Sequence, residues 1–396
     1  MIRCMRALPF PVLAGGLLLA GGAQAETTTS ARVGVEAGYG SRPFLGSSGG
    51  ANETASLISR FEPSVTLSSP TSQVRLGGNV EHTIFSKGRR DITNWGLGAA
   101  FTVSLTPLSR LGLTGNYSSR VRNGFSGYID PVPPEDGEAP PTDPWEAELA
   151  GSRTKTLSGG ANYSTSLSAR TSLNLSGFVS DVSYDDSPTI DHGSTSYGGS
   201  IGLSRAMGQN SSIGVSLGYS ASDYDTAQLG SFTQISPRVT AALQIAPRVT
   251  LSGSVGAGFT RTRQPAGTRN HTNFMGDAAL CRAGDRSRLC AFAARSIGSG
   301  INAGTSTTTS AGLRYSYKLT PRSSIGASGQ YSEVQSIGLG IDRSYSQASG
   351  SANYQRELAP RLSLSVTARY TNPITSTFSR RESLYGGVGV NYRLGR

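Results

Sequence analysis

Long apolar runs are missing from this chain of 396 residues once its first 25 are passed, whereas a membrane helix needs about 20 in succession. Helical membrane spans are excluded beyond that point. Cysteine is almost absent, with Cys4, Cys281 and Cys290 the only three, too few for a cysteine-built metal centre. Histidine is equally scarce: His82, His192 and His271 fall in separate segments, so a Ser-His-Asp set or a metal cluster could arise only by tertiary coincidence. Only 36% of residues are hydrophobic, and 51 are glycine. That composition alone would suit a disordered or fibrous chain, and periodicity has to decide between the two.

The first 25 residues follow an export pattern. Arg3 and Arg6 form a basic start, an apolar run extends from Ala7 to Ala20, and Ala23-Gln24-Ala25 supplies an Ala-x-Ala site. Residues 1–25 are therefore expected to be a cleaved signal peptide, with Ala23 and Ala25 marking the site. No cysteine stands at the cleavage point, so a lipoprotein is not indicated. The formal charge of +11, less Arg3 and Arg6, leaves +9 on the mature chain. On an exported protein with scattered arginines, this basicity speaks for lipopolysaccharide phosphates or an acidic polymer, not nucleic acid. Cys4 leaves with the signal, making Cys281 and Cys290 a candidate disulfide in an oxidising compartment.

The order lies in a period of two. Trp95, Leu97, Ala99, Phe101, Val103 and Leu105 share one parity, while Asn94, Gly96, Gly98, Ala100, Thr102 and Ser104 fill the other. About ten residues of such alternation mark a membrane strand, apolar towards lipid and small or polar inward. The pattern returns in Val33 to Tyr39, Leu111 to Tyr117, Leu173 to Val179, Ile213 to Tyr219, Val249 to Phe259 and Leu362 to Tyr370. A soluble sandwich is excluded, because the inward parity is too hydrophilic for the other face to meet water.

Short related turns punctuate the strands: Ser69-Pro70-Thr71, Thr106-Pro107-Leu108, Ala246-Pro247-Arg248, Thr320-Pro321-Arg322 and Ala359-Pro360-Arg361, with Ser168-Ala169-Arg170 and Gly208-Gln209-Asn210 in equivalent places. Proline presets φ in a turn and cannot donate to a ladder. Pro70 to Pro107, Gln209 to Pro247 and Pro321 to Pro360 are 37, 38 and 39 residues apart, room for one hairpin and its opposite loop, while the 61 from Pro107 to Ser168 include a long loop; the one missing turn falls at Gly284-Asp285, inside the Cys281–Cys290 pair. A disulfide there would clamp a hairpin base.

Counting strands from these turns predicts an all-β, antiparallel, up-and-down transmembrane barrel over residues 26–396 with about 18 strands, 16 being the alternative. Both termini then lie on the periplasmic side. The region 121–152, with Asp130-Pro131-Val132-Pro133-Pro134 at its centre, reads as a long acidic outer loop. Two aromatic girdles are expected, Tyr39, Tyr117, Tyr184, Tyr219, Phe259, Tyr331 and Tyr370 at one interface and Tyr163, Tyr317, Tyr354 and Tyr392 at the other.

Parity places Arg32, Glu36, Glu62, Arg75, Glu81, Arg238, Arg314, Lys318, Glu357, Arg369 and Arg393 towards the lumen among Ser, Thr, Gly and Asn. Such a wall suits sugars or anions, although the same charges could merely hydrate the interior and pair together. Phe178 is one inward aromatic on this reading, but small residues dominate. Gly198-Gly199-Ser200-Ile201-Gly202 fits G-x-S-x-G, but Ser200 sits mid-strand without the strand-to-helix elbow a nucleophile needs. Asp185-Asp186 near His192 reads as a polar loop. No enzyme, cofactor or metal is expected.

The last strand carries Gly387-x-x-Val390-x-Tyr392, which resembles the C-terminal insertion signal of outer-membrane barrels, although Gly395-Arg396 follow where such chains usually stop at an aromatic. The alternating strands and short Pro-Arg turns resemble Gram-negative outer-membrane porins. More distantly, they are similar to β-barrel porins associated with exopolysaccharide secretion. That likeness implies an outer-membrane channel exporting exopolysaccharide with periplasmic polysaccharide-export proteins, in contact with lipid, lipopolysaccharide and the barrel assembly machinery. A general diffusion porin is the alternative within transport, and a structural or adhesive surface barrel the alternative outside it.

Overall fold

A computed structural model describes residues 26–42, 53–86, 90–121, 152–185, 193–225, 230–265, 267–299, 305–338, 341–375 and 382–395. The expected signal peptide with Ala23 and Ala25, the expected acidic loop between Val121 and Ser152, and His192 lie outside the described residues. Eighteen strands follow one another. The first half comprises β1 (Glu26–Ser41), β2 (Glu53–Ser68), β3 (Ser72–Phe85), β4 (Ile92–Thr106), β5 (Ser109–Val121), β6 (Arg153–Ser168), β7 (Thr171–Asp185), β8 (Ser194–Gly208) and β9 (Ser211–Tyr224). The second comprises β10 (Ser231–Ala246), β11 (Val249–Gln264), β12 (Gly267–Ala283), β13 (Ser287–Ser299), β14 (Thr305–Thr320), β15 (Ser323–Gly338), β16 (Ile341–Ala359), β17 (Leu362–Thr375) and β18 (Ser383–Gly395).

Each strand pairs antiparallel with its sequence neighbours, and β1 also pairs with β18, so one 18-stranded sheet closes into a barrel. Closure is what lets strands span lipid, since an unpaired backbone amide or carbonyl there costs several kcal/mol. At a strand spacing near 4.8 Å and a tilt near 40°, eighteen strands give a backbone diameter of about 35 Å. The eight short turns cluster at one end together with both ends of the sheet, Glu26 and Gly395. Val121 still belongs to β5, paired with Arg153 of β6, so the first residue of the expected loop is strand.

The exterior is apolar. Leu97, Val215, Phe259, Leu313, Leu384 and Val388 are all exposed, as lipid-facing side chains in an isolated barrel must be. Trp95 and Tyr117 meet in the outer girdle with ring centroids 5.0 Å apart. Tyr184 departs from the expected girdle: Leu175 and Val179 set the outward parity of β7, and Tyr184 has the other.

Seven of the eight turns are tied to the next hairpin by one backbone bond. Arg286 O accepts from Lys318 N (2.7 Å), Arg322 O from Glu357 N (2.7 Å) and Arg361 O from Arg393 N (2.8 Å), and the pattern repeats around the rim. At the turn between β12 and β13, Cys281 and Cys290 face each other directly in register and are joined by a disulfide, with Cα atoms 4.1 Å apart. Replacing both by serine is expected to lower stability by about 2 kcal/mol while keeping the barrel. Urea unfolding of the refolded protein in micelles measures that loss.

Candidate inner-wall site

The inner face combines a charged relay across the closing seam, a hydroxyl-lined wall and an intruding hairpin. The relay is centred on Glu36 of β1, which is 3% exposed. Its carboxylate accepts from Arg60 Nη1 of β2 (2.7 Å), Tyr385 Oη of β18 (2.8 Å) and Thr367 Oγ1 of β17 (3.1 Å). Arg60 Nε donates to Glu81 Oε2 of β3 (2.9 Å), and Asn94 Nδ2 of β4 donates to Glu81 Oε1 (3.3 Å). Asn94 Oδ1 in turn accepts from Val121 N of β5 (2.7 Å). Arg369 of β17 lies 5.7 Å over the Tyr385 ring.

Glycine makes this arrangement possible. A Cβ on Gly38 would overlap the Tyr385 ring, and one on Gly387 would overlap the Glu36 carboxylate and the Tyr385 hydroxyl. Beside the relay, Ile58, Phe85, Ile92 and Tyr385 form a buried cluster with Val121 packed against it. This corrects the expectation of an inner face dominated by small and polar residues. Ile58, Phe85 and Ile92 have inward parity, so apolar packing fills part of the barrel's outer end.

A second departure involves β13. Its pairing with β12 stops at Gly276–Arg295, although β12 continues to Gly267. Above that point β13 remains paired with β14 up to Ser299–Thr305. The hairpin instead packs behind its neighbours, on the inner wall. Ser222 Oγ of β9 donates to Ser299 Oγ (3.3 Å), and Thr262 of β11 and Thr305 of β14 join their hydroxyls at 3.2 Å. A Cβ on Gly258 of β11 would stand 2.9 Å from Ile297 Cδ1 and 2.8 Å from Met275 Sδ, so glycine is what admits the hairpin there. Gln234 Nε2 donates to Met275 Sδ at 3.3 Å beside them. The outer half of the lumen is narrowed from the β9–β14 side.

Elsewhere the inner wall carries hydroxyl pairs on adjacent strands: Ser172–Ser204 at 2.7 Å, and Ser176–Ser200, Ser328–Ser351 and Ser30–Ser64 each at 2.8 Å. A recess of about 240 Å³ over β7–β10 includes Asn174, Ser176, Ser200, Ser204, Ser216 and Thr240 in its lining.

The eleven charges singled out from parity are distributed as follows. Glu36 and Glu81 share Arg60, Arg369 stands by Tyr385, and Arg32 Nη1 reaches Glu62 at 3.4 Å. Arg238 Nη2 lies 3.9 Å from Met275 Sδ, and Arg314 stands opposite Cys290 in register. Arg75, Lys318, Glu357 and Arg393 lie near the turn end, Arg393 opposite Arg32. Ser200 is bonded to Ser176, while His82 Nδ1 is bonded to Thr93 Oγ1 and His271 stands on β12, so these groups are not assembled into one site. Arg60, and Asp277 of β12, whose carboxylate accepts from Ser254 Oγ, were missed by the sequence reading. Arg60 shares the parity of Glu62 two residues on, and that signal could have found it.

A closed 18-stranded barrel with an apolar exterior and a charged, hydroxylated interior defines an outer-membrane β-barrel of the porin fold. No family profile and no curated protein matches the chain. Solved structures share its fold. A BenF-like porin from Pseudomonas fluorescens Pf-5 aligns over 94% of this chain and 99% of its own, at 10% identity and a TM-score of 0.53. OccK9 (OpdG) of Pseudomonas aeruginosa aligns over 94% and 99%, at 12% identity and a TM-score of 0.51. OccK2 (OpdF) of the same organism aligns over 93% and 98%, at 13% identity and a TM-score of 0.50.

Two substitutions test this geometry. Arg60→Leu leaves two largely buried carboxylates without their shared cation and is expected to cost about 3–5 kcal/mol, read from the temperature at which the folded gel band is lost. Gly258→Val places a side chain between the wall and Ile297 and is expected to push the hairpin towards the lumen axis. Its single-channel conductance should fall below that of the parent, and an unchanged value would contradict the assigned constriction.

Proposed function

We propose that the barrel is an outer-membrane channel for small polar solutes, entered through a cationic turn-side mouth and narrowed at its outer half by the β13–β14 hairpin. The observation that carries this reading is the ladder of hydroxyl pairs on the inner wall, whose donors and acceptors can replace part of a solute's hydration shell. One structure sharing the fold is described as a porin, which agrees. Exposed inner cations such as Arg75, Lys318 and Arg393 favour solutes bearing hydroxyls or negative charge.

Export of exopolysaccharide alongside periplasmic export proteins is the finer version of this reading. It has the hydroxyl wall in its favour and the narrowed outer half against it, so the small-solute version is preferred. Lipopolysaccharide and the barrel assembly machinery remain the expected partners of any chain that inserts in this way.

Refolded protein in a planar bilayer is expected to give steady conductance, and liposomes containing it should swell in small sugars faster than in oligosaccharides. Silence from protein shown to be folded would overturn the channel and leave a structural barrel. Equal swelling rates for small and large sugars would remove the constriction from the proposal.

A further inference from the structure

The turn-side rim carries an uneven distribution of charge. On the half running from β10 to β18, all four turns end in an exposed arginine: Arg248, Arg286, Arg322 and Arg361. The remaining turns include the uncharged Ser69-Pro70-Thr71 and Gln209-Asn210, with Arg170 the one turn-tip arginine on that side. Behind the four tips, Arg288, Lys318 and Arg393 add cations on the inner parity, as Arg75 and Arg110 do on the other half, so the asymmetry lies in the tips. The acids nearby are Asp285, which pairs with Arg248 at 2.7 Å, and the inward Glu357. Among the described residues, Arg286, Arg322 and Arg361 have no ion pair.

The tips are held in place. The carbonyl of each of the four accepts a backbone bond from the next hairpin: Ala283 N to Arg248, Lys318 N to Arg286, Glu357 N to Arg322 and Arg393 N to Arg361. The arc is thus fixed by the sheet, and little backbone entropy remains to be lost on binding. Adjacent tips are two strands apart, about 12 Å at ordinary strand spacing and tilt, so four of them span roughly 35–40 Å. That length matches the face of a folded domain of about 100 residues.

We infer that this arc is a docking surface for the acidic face of a folded periplasmic protein. Phospholipid phosphates can reach Arg282 and Arg356, which have the lipid-facing parity. Arg288, Lys318 and Arg393 have the opposite parity, and the four tips lie beyond the strand ends. A flexible anionic chain entering the lumen would have no reason to favour one half of the rim, whereas a globular partner covering one half accounts for the asymmetry. Charge complementarity of this kind sets encounter rate and register, and it weakens with salt. The inference does not depend on what the lumen carries.

The test places a photoreactive phenylalanine at Pro321 in the full chain, with Asn210 on the opposite half as the control position, and irradiates producing cells. One discrete protein adduct of acidic isoelectric point is expected from position 321 and none from 210. Arg286→Glu combined with Arg361→Glu should reduce its yield by about tenfold, while heat-shifted gel migration and the intact disulfide show that the barrel has folded. The partner so identified, purified, should bind the purified barrel less tightly as salt is raised. An adduct of lipid alone, equal labelling from both positions, a yield indifferent to charge reversal, or no adduct at all would each overturn the proposal.

Discussion

Backbone pairing without an edge is the constraint on which everything else in this barrel rests. Lipid offers no partner to an amide or a carbonyl, so β1 must find β18. The side chains at that junction are arranged accordingly. Glu36, Arg60, Glu81 and Tyr385 come from four strands that straddle the closure, and each largely buried charge is met by an opposite charge or a hydroxyl. Replacing the set by apolar residues would seal the seam with less desolvation. What the polar relay adds is register: a one-residue slip of β18 on β1 would carry Tyr385 to the lipid face and take the phenol donor from Glu36.

The same constraint explains how the interior can be shaped. β12 and β13 part company only beyond Gly276 and Arg295. That is roughly where the outward side chains of β12 turn from apolar Leu280 and Phe274 to Thr272 and Asn270, at the outer interface. Water and headgroups can satisfy an exposed strand edge there, whereas the hydrocarbon core could not. The hairpin can therefore fold into the lumen without leaving backbone groups stranded in lipid. Its Ile297 and Met275 contact gains burial that neither residue would have in an open wall.

Much of the architecture was legible in sequence. The parity of Trp95 through Leu105 and the Pro-Arg turns located the strands, because lipid contact and turn geometry act residue by residue over short distances. The disulfide was legible for a similar reason: Cys281 and Cys290 flank a turn whose position followed from the spacing of the others. Ile58, Phe85 and Ile92 were not. An apolar residue on the inward parity reads as a defect in the alternation, and nothing local says that other inward residues will pack against it. The folding-in of β13 was also hidden, although the alternation from Asn273 to Ile301 was weaker than elsewhere. A segment whose outward face meets lipid in its lower half and protein in its upper half keeps no single pattern. Tyr184 failed on parity alone, its position in the strand having been given more weight than its side.

The relay at the seam also bears on how the barrel comes into being. Tyr385 and Glu36 are 349 positions apart in the chain, and Thr367 and Glu36 are 331 apart. The ladders between strands consecutive in sequence, by contrast, join residues within a single hairpin or the next. Contacts so distant in sequence cost the most chain entropy to form and reward it last. The first hairpin can assemble its Glu36–Arg60 pair at once, but that carboxylate keeps part of its bonding capacity open until the final strand arrives. An unfinished barrel therefore exposes a polar, incompletely bonded edge on β1, which disfavours burial of that edge in lipid before the chain is complete.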